Sequence, residues 1–228
     1  MNKGKLIVLE GTDGSGKTTQ LQLLDEYLTT NKIPHATADF PQYGKTFFGD
    51  VAGKALKGEY GSLATVSPYL MSIPYAADRW QAKPQLDQWI AEGKIVLVNR
   101  YATSNAMYQA AKLPEEKRAA FLQWNFDMEY SVFGIPKEDL VIYLHVPVDV
   151  ASSLLEKKGK RAYLGERQTK DIHEANKVFQ KEVERLYVSS CQTQPHWVKI
   201  ECVQNGQLLS KEKIHEKIIA VLKEKNVL

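Results

Sequence analysis

Cysteine is nearly absent from this sequence: Cys191 and Cys202 are the only two among 228 residues. They form no C-x-x-C pair, and no Cys/His cluster has zinc spacing. A disulfide scaffold and a structural zinc are therefore excluded as organising devices, and two buried thiols in a reducing cytosol are expected. A surplus of one charge is missing as well. Thirty basic side chains face 27 acidic ones, a net charge of +3, which gives a nucleic-acid partner no support. No apolar stretch approaches the roughly 20 residues that cross a bilayer. The apolar run within MNKGKLIVLEG is too short for a secretory signal. Repeats, low-complexity tracts and domain-dividing linkers are also missing. These absences lead us to expect one domain over residues 1–228, cytoplasmic, with no membrane and no nucleic-acid partner.

What is present is sharper. The strand-like run Lys5–Leu9 and Glu10 lead directly into GTDGSGKT, Gly11 to Thr18, and an amphipathic segment follows. The pattern G-x-x-x-x-G-K-[ST] between a buried strand and a helix is a phosphate-binding loop. Its four fixed positions would arise by chance in a chain of this length about once in a hundred times. Gly11, Gly14 and Gly16 let the backbone approach a ligand, so that loop N–H groups, those of Ser15 and Gly16 among them, form an anion nest at the start of the helix. Lys17 supplies charge for the β- and γ-phosphates. Thr18, followed by Thr19, offers a hydroxyl to Mg2+. ATP and Mg2+ are the expected cofactors.

Apolar runs then alternate with helical patterns, which predicts a parallel sheet wrapped by helices. Strands are expected at 5–9, 35–40, 94–98, 140–146 and 197–202. Helices are expected at 16–31 (Leu21, Leu24 and Leu28 on one face), 67–80, 84–92, 101–111, 115–133, 149–157, 169–190 and 211–225. Open parallel sheets bind ligands outside the carboxyl ends of their strands, so the residues found there are the candidates. Arg100 has a planar fork suited to phosphate, or else a salt bridge pinning the strand end. Asp13 is unusual inside a phosphate loop. It suits a sugar hydroxyl or hydrated Mg2+, or a simple Asx turn. Asp78-Arg79-Trp80 closes a helical stretch holding Tyr69 and Tyr75. It reads equally as a base-pocket wall or as a solvated face beside a core stripe. Lys157–Arg167 reads as a basic lid over a phosphoryl-transfer site or as a solvated charge run.

Taken in order, these residues resemble the thymidylate kinases. The loop with its preceding Glu10 and internal Asp13 is similar to that family's P-loop. Phe40-Pro41, Asp78-Arg79, Asn99-Arg100-Tyr101, Ser104-Asn105 with Tyr108, and Asp171-Ile-His-Glu174 follow at suitable distances over roughly residues 5–190. The resemblance implies a three-layer α/β P-loop kinase fold: a five-stranded parallel sheet flanked by helices, with a short lid at about 157–168. It implies the reaction MgATP + dTMP → ADP + dTDP, with ATP and dTMP as small-molecule partners, and a homodimer packed through helices. It places the acceptor phosphate on Arg100 near Tyr43, the sugar hydroxyl on Asp13 and the thymine near Phe40 and Tyr75. Arg79 and Asn105 read its polar edge, and Tyr108 crowds the 2′ position. Lys17 and Arg100 act on the transferring phosphoryl. Because Gly14 stands where some members carry an arginine, the lid supplies that charge, Arg167 first and Arg161 second.

The resemblance has gaps. Asn99 replaces the usual Asp, taking a carboxylate from the Mg2+ neighbourhood left to Thr18 and Asp13. Gln42-Tyr43 stand where an Arg is usual, with Lys45 as a candidate replacement. Two rival readings remain open at this point: a deoxynucleoside kinase, and a weakly catalytic nucleotide-binding regulator. Asp50-Val-Ala-Gly53 spells D-x-x-G but follows no strand and is read as coincidence.

Overall fold

The computed structural model describes residues 3–61, 66–151 and 177–228. Five strands form one sheet: β1 (Lys5–Glu10), β2 (His35–Asp39), β3 (Ile95–Asn99), β4 (Leu140–His145) and β5 (Trp197–Glu201). Their order is β2-β3-β1-β4-β5 and every pairing is parallel. The central strands are apolar throughout because both of their faces are covered. Along β1, Leu6 and Val8 point to one core while Ile7 and Leu9 point to the other. The first core is closed by α3 (Pro68–Ala91), α4 (Ala102–Ala110) and α6 (Lys177–Thr193), through Leu86, Met107 and Val183. The second is closed by α1 (Lys17–Thr30) and α7 (Lys211–Glu224), through Leu24, Leu28, Ile214 and Ile218. Each such side chain, fully buried, contributes about 1.5–3 kcal/mol. The remaining helices are α2 (Phe47–Leu56) and α5 (Glu115–Phe126), the latter running into a π-helical turn at Asp127–Val132.

The expected α/β architecture is present, with four local corrections. The helices expected at 67–80 and 84–92 are one element. α3 runs through both Pro74 and Pro84, although an interior proline costs about 3 kcal/mol. Apolar burial on both halves of α3 offsets that cost: Met71, Ala76 and Ala77 on one, Leu86 and Ile90 on the other. The segment expected as a helix to residue 133 leaves α-geometry at Asp127. α2 is additional to the expected elements, although Thr46 caps it by accepting the Gly49 N–H at 2.9 Å. So is a small antiparallel hairpin, β6 (Val203–Gln204) with β7 (Gln207–Leu208). Its signal is present in the sequence: Asn205-Gly206 takes the positive φ angles, 51° and 74°, that a two-residue hairpin turn demands. Both thiols are free, Cys202 buried and Cys191 only partly so, and burial pushes them up to about 12 and about 11. The helix expected at 149–157 and the start of that expected at 169–190 fall mostly outside the described residues.

His145 closes β4 between two carboxylates, with Nε2 2.8 Å from Glu184 on α6 and Nδ1 2.5 Å from Glu201 on β5. The bond to Glu184 is the main reason its pKa lies above 6.5, helped by Glu201 and opposed by burial. A raised histidine pKa stabilises the fold fully below the unfolded value of about 6.5, and this is lost as pH rises through the folded value. Denaturant midpoints measured across that window should fall with rising pH more steeply in the native protein than in His145→Gln.

Candidate active site

The phosphate half is built where β1 turns into α1. Gly16 sits at φ 91°, a left-handed conformation costly for a residue with a Cβ. It leaves the first turn of α1 without a side-chain cap and without an acidic residue. The free N–H groups and the positive end of the helix dipole are therefore available to an anion. Lys17 is buried, and its ammonium donates to the carbonyls of Gly11 and Thr12, both at 2.9 Å, and to Ser15 Oγ at 3.4 Å. Thr18 stays exposed.

Glu10, fully buried, ties this half to the next. One carboxylate oxygen accepts the Tyr101 N–H at 3.2 Å and the Thr103 hydroxyl at 2.5 Å. The other accepts Ser104 at 2.6 Å and Tyr187 at 2.7 Å. Four donors from two helical regions thus converge on one side chain, which matches the polar atoms of a carboxylate buried away from water.

Arg100 stands where β3 ends, with φ 63°. That left-handed geometry is rare for a bulky residue and costs on the order of 1–2 kcal/mol. It lets the Arg100 N–H continue the sheet to Leu9 at 3.1 Å while the guanidinium turns back onto the phosphate loop. There it pairs with Asp13, reaches Ser104 Oγ at 3.4 Å and lies over the Tyr108 ring at 5.2 Å. Beside it, Asn99 Nδ2 donates to Asp39 at 3.0 Å, and Asn99 Oδ1 is buried without a hydrogen-bond partner.

Next to Asp13 and Arg100 opens a pocket enclosing about 560 Å3 of empty space, its mouth included. Phe40, Tyr43 and Tyr75 supply aromatic walls, and Arg79, Asn105 and Tyr108 also line it. The loop carrying Phe40 and Tyr43 is fastened from α3: Asp78, fully buried, accepts the Gln42 N–H at 2.9 Å and the Thr46 hydroxyl. Gly53 lets the Tyr43 ring pack against α2, since a Cβ there would stand only 3.1 Å from it. Arg79 is 2% exposed and forks onto Glu129 of the π-turn, Nε donating to Oε2 at 3.0 Å and Nη2 to Oε1. Burial works against the Arg79 charge, and Glu129 more than offsets it.

The comparisons with known proteins agree with this geometry. The thymidylate kinase family model matches residues 9–223. The chain belongs to the thymidylate kinase family. It is 32% identical over 182 residues to a thymidylate kinase of Mycobacterium tuberculosis (strain H37Rv), covering 80% of this chain and 83% of that one. With a Plasmodium falciparum (isolate 3D7) thymidylate kinase it shares 33% identity over 177 residues, 78% of each chain. A solved thymidylate kinase from Candida albicans superposes with a TM-score of 0.73 over 98% of this chain and 93% of that one. At 21% identity that match speaks for the fold. The activity is phosphorylation of dTMP.

The residues named from sequence as acceptor contacts line one pocket: Asp13, Phe40, Tyr43, Tyr75, Arg79, Arg100, Asn105 and Tyr108. Arg79 is not on a solvated face. Tyr69 is on the other side of α3, packed edge-on against Phe121 at 5.1 Å and Trp124 at 4.9 Å, and takes no part. Gly53 belongs to no switch motif. Arg161, Arg167, Asp171 and Glu174 lie outside the described residues. Sequence reasoning missed Glu129, Asp39 and the roles of Asp78 and Gly53. Asp78→Ala should leave two donors of the Phe40–Thr46 loop unmatched, lowering stability by about 1–3 kcal/mol. Because the loop, not the phosphate site, is loosened, KM for dTMP should rise several-fold with kcat nearly kept. Steady-state kinetics with a thermal melt check both.

Proposed function

We propose that the chain moves the γ-phosphoryl group of MgATP onto dTMP through the residues just described, with base selection by Arg79 and Asn105. The observation that carries this reading is an unmatched acceptor beside a buried guanidinium in one pocket. Asn105 Nδ2 donates to Ser72 O at 3.1 Å and to Glu129 at 2.9 Å, while its buried Oδ1 has no partner. Beside it stands the donor fork of Arg79. An acceptor next to a donor complements the N3–H and O4 edge of thymine. Cytosine would set acceptor against acceptor and donor against donor, and a buried mismatch of that kind is strongly rejected.

Phosphoryl transfer needs positioning and charge more than proton chemistry. The nest at Gly11–Thr18 and Lys17 hold the β- and γ-phosphates. Lys17 exchanges its bonds to loop carbonyls for phosphate oxygens. Arg100 holds the acceptor phosphate, and Asp13 binds the sugar 3′-hydroxyl. Arg167, with Arg161 second, brings the remaining positive charge. The available donors suit Mg2+: the exposed Thr18 hydroxyl and the carboxylate of Asp39, whose pKa burial raises against the opposing Asn99 hydrogen bond and the charges of Arg100 and Lys17. These are hard oxygens, and among the described residues no cluster of three or more His, Cys, Asp or Glu forms a cage. That matches an ion held mainly by water and substrate phosphates, where it neutralises charge on the transferring group.

The same reading includes a homodimer. Leu70, Ile73 and Trp80 recur on one face of α3 and are 67%, 41% and 50% exposed, and Phe47 of the neighbouring α2 is 69% exposed. An apolar stripe of this kind fits a second copy of the chain better than water.

Supplied with ATP, the protein should release ADP with dTMP and not with thymidine; the reverse pattern would replace this reading with a deoxynucleoside kinase. Lys17→Ala should lower turnover by at least about 10³-fold with its melting temperature kept. Arg167→Ala should lower kcat far more than it raises KM for dTMP. Light scattering should find a dimer that Leu70→Glu with Ile73→Lys converts to a monomer; a monomeric native protein would remove the dimer.

A further inference from the structure

We propose that Glu129, which contributes no surface to the acceptor pocket, is the positioning residue that sets the pocket's base selectivity. Its carboxylate is fully buried and is shared between two side chains that line the pocket, Arg79 and Asn105. Oε1 accepts from both Arg79 Nη2 and Asn105 Nδ2, and Oε2 accepts from Arg79 Nε. With Ser72 O and Glu129 taking both Nδ2 hydrogens, the Asn105 amide has one orientation. Turning it would bring Oδ1 against a carboxylate. The same carboxylate holds the guanidinium by its Nε–Nη2 edge, which leaves Nη1 outside that pair. A single negative charge thus fixes the acceptor and the donor together.

The local backbone is arranged to deliver that charge. Glu129 lies in the π-turn after α5, where the wider winding re-aims a side chain out of the α-helical register. Its own carbonyl accepts the Ile135 N–H at 3.2 Å, and Phe133 N–H bonds Met128 O at 2.9 Å, so the turn is closed from both sides. An amide in place of the carboxylate cannot do the same work. Every group that the Glu129 carboxylate meets is a donor, so the NH2 of a substituted amide would oppose either Arg79 or Asn105. The Asn105 amide can relieve that opposition by turning, at the cost of its bond to Ser72 O, and it then offers N–H to the base. That edge accommodates cytosine N3.

The inference rests on reading the pocket as a thymine site, and the experiment separates the two. kcat and KM for dTMP and dCMP are measured for the native protein and for Glu129→Gln. Failure of the native protein to prefer dTMP removes the underlying reading. Given that preference, Glu129→Gln should narrow the dTMP-to-dCMP ratio of kcat/KM by about tenfold or more, chiefly through a higher KM for dTMP. A ratio unchanged while both activities fall together would assign Glu129 to scaffolding alone and overturn the proposal. Losing a buried ion-pair partner is costly, so a second measurement uses the native chain. In 15N NMR the Asn105 side-chain N–H signals, identified by their loss in Asn105→Asp, should be protected from exchange before dTMP is added and stay so afterwards. Rapid exchange that becomes protected only with dTMP would mean that the NH2 faces the base, which contradicts the proposal.

Discussion

A carboxylate with no access to water, Glu10, joins the two halves of this site. It is the last residue of β1, immediately before the phosphate loop, and its partners come from the start of α4 and from α6. A carboxylate in such a place must be fully matched, because an unmatched one would cost several kcal/mol. That requirement fixes Tyr101, Thr103 and Ser104 relative to β1. Arg100, the residue just before them, is then committed to a left-handed backbone and to the loop's Asp13. The position of Arg100 relative to the phosphate loop is therefore set by a buried hydrogen-bond network and not by surface loops.

The acceptor pocket repeats the device. Glu129 holds Arg79 and Asn105, and Asp78 holds the loop of Phe40 and Tyr43. Three buried carboxylates thus orient the side chains around the pocket, while Asn105 Oδ1 is left without a hydrogen-bond partner. Such a site is organised before the ligand arrives, so little ordering entropy is lost on binding. α3 connects these points. It presents Asp78 and Arg79 on its buried side and an apolar stripe outward, which explains why a helix with two interior prolines is retained.

Much of this is legible in the sequence, for identifiable reasons. Strands such as Ile95–Asn99 are buried on both faces and read as unbroken apolar runs. The phosphate loop has a spacing that few other structures require. The order of short motifs at strand ends locates the pocket because parallel sheets place those ends together. What escapes reading depends on partners far apart in the chain or on winding that a 3.6-residue period hides. Tyr187 meets Glu10 across 177 positions. Glu129 is placed by a π-turn, and the periodicity of residues 115–133 gives no sign of it. Asp39 escapes because only the register Asp39 to Asn99 puts its carboxylate beside that amide. α2 escapes because Gly49 and Gly53 lower its helix propensity; they are there for close contact with Gln42 and Tyr43.

The central claim is that the pocket holds the polarity of thymine before any ligand enters. A crystal structure of the protein with dTMP and ADP tests it most directly. The base N3 should lie about 2.7–3.2 Å from Asn105 Oδ1, with O4 on Arg79 and the Glu129 bonds unchanged. A base bound in the opposite sense, or an Asn105 amide turned to present its NH2, would contradict the account.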